Sequence, residues 1–89
     1  MNKKLVYKTP HGDIRYCVLD SMKEYKPQLE KVFGVTEGYG FSIELHEKKI
    51  ELRDYFAGET RASFQIIAME DCDLPVCLEQ VKMEQESME

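Results

Sequence analysis

The chain has 89 residues, 43% of them hydrophobic and 33% charged, with a formal net charge of −5. That length bounds it to a single domain over 1–89 with one thin core, and the composition is that of a globular chain rather than a disordered one. An acidic balance disfavours nonspecific phosphate binding, which depends on surplus Lys and Arg, and no apolar window of about 18 residues offers a membrane span.

The charge is unevenly spread. Residues 70–89 carry Glu70, Asp71, Asp73, Glu79, Glu84, Glu86 and Glu89 against one base, Lys82, whereas residues 1–69 are nearly neutral. Three cysteines, Cys17, Cys72 and Cys77, leave at least one unpaired within the chain. With no export signal at the basic start, which Lys8 and Pro10 break up, reduced thiols and a cytoplasmic location are expected.

Leu5-Val6-Tyr7 and the run from Ile14 to Leu19 flank Thr9-Pro10-His11-Gly12-Asp13, strong turn chemistry. They predict a hairpin with strands at about 3–9 and 13–19. Leu5 and Tyr7 share one face, as do Ile14, Tyr16 and Val18, with Cys17 pointing away. Ser21 with Glu24 fits a capping box, and Met22, Tyr25, Leu29, Val32 and Phe33 recur as one helical stripe. Pro27 forces a kink after 21–25 or a restart with Pro27 in the first turn, and Gly34 is positioned to end the helix.

A loop through Gly38-Tyr39-Gly40 feeds three antiparallel strands. Phe41, Ile43 and Leu45 alternate with Ser42, Glu44 and His46, and Ile50 and Leu52 alternate with Glu51 and Arg53. In the third strand Ala62, Phe64, Ile66 and Ala68 face one way, but Ile67 and Met69 spoil the alternation. That end is expected to be buried on both faces or to meet a partner. Asp73 and Pro75 predict a helix start, so a helix is expected at about 74–85, with a strand at 76–83 as the alternative and residues 85–89 frayed. The order ββαβββα predicts an α+β fold: an antiparallel sheet of about five strands with one or two helices packed on one face.

Chemistry-bearing motifs are sparse. Cys72 and Cys77 have a metal-like spacing, but their available co-ligands, Cys17, His11 and His46, complete no zinc pattern. No nucleophile elbow, phosphate loop or paired-His motif is present. The chain therefore reads as a non-enzyme without cofactor or metal. The polar face with Glu44, His46, Glu51, Arg53 and Tyr55 reads as solvated, with cross-strand charge pairs.

What remains is surface. Tyr39, Tyr55 and Phe56 lie near loops, where aromatic anchors serve protein interfaces. Glu70, Asp71, Asp73 and Glu79 offer a carboxylate array complementary to a basic groove. The expected function is a small cytoplasmic protein-binding module, with an acidic inhibitor or anti-defence-type protein acting by surface complementarity as one form. The partner is another protein, and a homodimer through the third meander strand or the C-terminal helix is the further expectation. The alternative is a nucleic-acid or small-ligand module using the N-terminal hairpin and helix, whose bases are Lys3, Lys4, Lys8, Arg15, Lys23, Lys26 and Lys31.

Overall fold

Six antiparallel strands curl into a half-barrel around one short helix in the computed structural model, which describes residues 1–35 and 40–83. In chain order they are β1 (Asn2–Lys8), β2 (Ile14–Leu19), α1 (Tyr25–Phe33), β3 (Phe41–Leu45), β4 (Lys49–Asp54), β5 (Glu59–Cys72) and β6 (Cys77–Lys82). They form one sheet in the order β3-β4-β5-β1-β2-β6. Strand makes up 56% of the described residues and helix 11%. The fold is thus mostly β, which corrects the α+β expectation of about five strands roofed by one or two helices.

The missing helix is the first reason for that correction. Residues 77–82 form β6, hydrogen-bonded along β2 with Arg15 opposite Lys82, Tyr16 opposite Val81 and Val18 opposite Cys77. Helical and alternating patterns both fit this short segment. A lone helix of its length is marginal in water, whereas β2 offers an unpaired edge that the segment satisfies. The expected 85–89 fraying, and Tyr39, lie outside the described residues.

The second reason is the role of α1. It packs against β2, β3 and β6 together, although β3 and β6 are opposite edges of the sheet. Laid flat, six strands would span about 24 Å, far wider than the helix. Both edges reach the helix only because the sheet wraps around it. Leu29 and Val32 are buried there, with Tyr25 and Phe33 packed against the same core of Leu5, Tyr7, Cys17, Leu19, Ile43 and Ile50. Phe33, Tyr7 and Phe64 make an aromatic triangle with ring centres 4.7–6.0 Å apart.

Pro27 is accommodated without a kink. The helix begins after Glu24, so Pro27 falls in the first turn, where its absent N–H has no intrahelical partner to lose. The Ser21–Glu24 capping box does not form, and Met22 is 89% exposed rather than part of the stripe. Gln28 supplies the anchor instead: its Oε1 accepts from Asp20 N at 2.6 Å, and its Nε2 donates to Asp20 O and Glu24 O. Gly34 closes the helix at φ 67°, in the left-handed region that glycine enters without a Cβ penalty.

Two details of register decide which faces meet the core. Leu5 pairs with Cys17 and Tyr7 with Arg15, so β2 turns Cys17 and Leu19 into the core, not Ile14 and Tyr16. Val6 and Val18 lie on the opposite face yet are also buried. Lys4, directly across from Val18, lays its ammonium 4.5 Å from the centre of the Tyr16 ring. On β5, Val6 pairs with Ala68 but Tyr7 pairs with Ile66, leaving Ile67 as a bulge. An extra residue reverses the inside–outside phase. Phe64 and Ile66 therefore face the core before the bulge and Met69 after it, while Ile67 is 50% exposed. The broken alternation of this strand end is thus a phase switch, and Ile67 is not buried on a second face.

Candidate functional site

The turn between β4 and β5 is built around one carboxylate. Asp54 Oδ1 accepts from the backbone N–H of Phe56 at 3.0 Å and of Ala57 at 3.2 Å. Oδ2 accepts from Arg61 Nη2 at 2.8 Å and Nε at 3.1 Å. The Asp54 carbonyl takes the Gly58 N–H at 2.8 Å, with Gly58 at φ 66°. Arg61 reaches back because Leu52 pairs with Ala62 and Arg53 with Thr60, making Arg61 a second bulge residue on β5. The Arg61 guanidinium, helped by the Ala57 and Phe56 N–H groups, holds the Asp54 carboxyl below the ordinary aspartate range.

This fixed turn carries Tyr55 and Phe56 into solvent, Phe56 at 88% exposure. Tyr55 N donates to Gly40 O at 2.8 Å, tying the turn to the start of β3. The Phe56 ring lies over Gly40, where a Cβ would overlap it. Of the expected aromatic anchors the structure therefore brings Tyr55 and Phe56 together. Asp54 and Arg61, which organise them, were not singled out in the sequence. The signal available was an Asp two and three residues before the turn amides it caps.

The acidic candidates are elsewhere. Glu70 and Asp71 lie near the far end of β5, Asp73 in the crossover and Glu79 on β6. From Glu59 to Asp71 the strand runs roughly 35–40 Å, so the aromatic and acidic candidates form no common surface. Asp71 Oδ1 is bound by Lys3 Nζ at 2.7 Å, which lowers the Asp71 pKa and raises that of Lys3. Glu70 sits opposite Lys4. Of the bases grouped at the N-terminal hairpin and helix, Arg15 pairs with Asp13 at 3.7 Å and Lys23 with Asp20 at 3.9 Å.

The cysteines do not converge as a chelate. Cys72 is on β5 and Cys77 on β6, with β1 and β2 between them, a separation of about 14 Å across the sheet. Cys17 is buried in the core, where burial, reinforced by Cys77, pushes its thiol up to about 12. Among the described residues, one group of potential metal ligands does form, on the outer face of the β3–β4 hairpin: Glu44, His46 and Glu51. His46 Nε2 lies 2.9 Å from Glu51 Oε1 and 3.5 Å from Glu44 Oε1, and Lys49 Nζ is 3.1 Å from Glu51 Oε2. Of the cross-strand charge pairs expected on this face, His46–Glu51 forms across the hairpin, while Glu44–His46 and Lys49–Glu51 each join residues of one arm.

Two open grooves flank these elements. One runs between α1 and β6, lined by Pro27, Gln28, Val76 and Leu78; the other lies at the β1–β2 turn, lined by His11, Arg15 and Phe64. Neither is lined by His46 or Cys17. No described helix is long and apolar enough to cross a membrane. Comparison with protein-family models, curated proteins and solved structures finds no match for this chain.

Proposed function

We propose that the protein works by binding another protein, with the Tyr55–Phe56 turn as its contact element. The observation that carries this is Phe56, an aromatic ring 88% exposed on a turn whose backbone is bonded to one carboxylate. An isolated exposed apolar residue needs no explanation. A pre-ordered one is different, because little conformational entropy is lost when it docks, and aromatic side chains supply much of the affinity at interfaces. The partner surface that fits is an apolar socket with a polar rim able to meet Tyr55 Oη. The free thiols of Cys17, Cys72 and Cys77 support a reducing, cytoplasmic setting. The acidic segment carries less of this reading, since Lys3 already neutralises Asp71.

A photo-crosslinking amino acid placed at position 56, and separately at the equally exposed Met22, tests the assignment in extract of the source cell. A discrete adduct from position 56 alone is expected, suppressed by excess unlabelled protein and not by excess Phe56→Ala. Indistinguishable adduct patterns from the two positions, or equal suppression by the variant, overturn it.

A further inference from the structure

We infer that the β3–β4 hairpin carries a site for a divalent transition-metal cation, with Glu44, His46 and Glu51 as its ligands. Antiparallel register places Glu44 directly opposite Glu51, and His46 follows two residues after Glu44 on the same face. The hairpin closes through His46 N donating to Lys49 O at 2.8 Å, which fixes the His46 backbone beside both carboxylates. The three ligand atoms all lie within 4.8 Å of one another. A tetrahedral zinc site with bonds of about 2.0–2.1 Å sets its donor atoms about 3.4 Å apart. The observed separations of 2.9 and 3.5 Å from His46 Nε2 straddle that value. A cation therefore needs only side-chain adjustments.

The donor set and its surroundings point the same way. One imidazole and two carboxylates suit zinc, and three protein ligands leave a fourth position for water. Glu51 is the best-positioned donor, with its side chain only 14% exposed. Its two oxygens are divided: Oε2 takes Lys49 while Oε1 faces His46. Lys49 thus occupies the place of an outer-sphere partner that orients a ligating carboxylate. Two carboxylates directly opposite on neighbouring strands repel, and a bound cation relieves that repulsion. Such a cation would also cross-link edge strand β3 to β4.

Zinc titration of the full chain by calorimetry at about pH 7.5, with Co²⁺ absorption as the geometric readout, tests the site. One saturable equivalent is expected, together with the intense visible bands of tetrahedral Co²⁺. Cys72→Ser/Cys77→Ser should leave both unchanged. His46→Ala and Glu51→Gln should each weaken binding at least about tenfold, with circular dichroism verifying that the variants stay folded, and His11→Ala should not. Amide shifts on zinc addition should centre on residues 44–51. Absence of saturable binding, loss of it in the double cysteine variant, or full affinity in His46→Ala overturns the assignment; the last two outcomes place the metal on thiols or on other carboxylates. The result is independent of the Tyr55–Phe56 reading, whose turn lies at the other end of β4.

Discussion

Asp54 shows how much one side chain can organise. Its carboxylate spends both oxygens on the turn and on Arg61, and the bulge that aims Arg61 exists only because β5 is one residue out of step with β4. Because the folded pKa is depressed, the stabilisation is fully present above the ordinary aspartate value of 3.8 and is lost as pH falls through the lower folded value. Asp54→Asn should therefore flatten the acid limb of the stability curve in that window and leave it unchanged near neutrality apart from a constant offset. Urea midpoints measured from pH 2 to 7 would show it; an unaltered acid limb would mean that the Arg61 pair contributes nothing. The turn cap had a local signal in the sequence, but the Arg61 pairing had none. Asp54 and Arg61 are seven apart in sequence and meet only through a bulge, which no periodicity announces.

At the level of elements, β5 is where pattern reading met its limit. A clean alternation exists on each side of Ile67, but the two halves are out of phase, and a single window averages them into noise. Deleting Ile67 should leave Ile66, Ala68 and Met69 opposite Tyr7, Val6 and Leu5 in one continuous register, with Met69 still facing the core. We expect the deletion to cost no more than about 1 kcal/mol by chemical denaturation, and Ile67→Thr to stay within about 0.5 kcal/mol. A loss of several kcal/mol on deletion would show that position 67 is more than a spacer. The hairpin β1–β2, the β3–β4–β5 meander, the start of β5 and the Gly34 cap were legible because each depends on local turn chemistry or on short-range alternation. The identity of β6 was not, since what makes it a strand is the free edge of β2, a partner 59 to 67 residues earlier. The candidate sites divide along the same line. Tyr55 and Phe56 could be named as neighbours, but Glu44, His46 and Glu51 became one cluster only once the register was known.

For the molecule as a whole, α1 sets the curvature. It is the element that touches both edges of the sheet, so its apolar face controls how far the half-barrel closes. Leu29, fully buried at that contact, is the position to test. Leu29→Ala should cost about 3 kcal/mol. Hydrogen exchange should then accelerate together in β3 and β6, while the β5–β1–β2 centre keeps its protection. Uniform acceleration across all strands would mean that the helix is not what holds the edges in. The same topology bears on the expected dimer: β5 is hydrogen-bonded on both sides, by β4 and β1, so among the described strands the free edges for strand addition are β3 and β6. The aromatic and acidic surfaces sit far apart on this frame, and a single partner engaging both would have to extend along most of β5.

The position of β1 carries a consequence for synthesis. Its neighbours are β2, reached after a five-residue turn, and β5, whose pairing residues 65–72 emerge more than fifty residues later. Until then the nascent hairpin shows a bare flank bearing Leu5, Val6 and Tyr7, and closing so distant a contact is slow. The interval before Cys72 is translated is when this chain is most exposed to mispairing, and when a chaperone would have the most to hold.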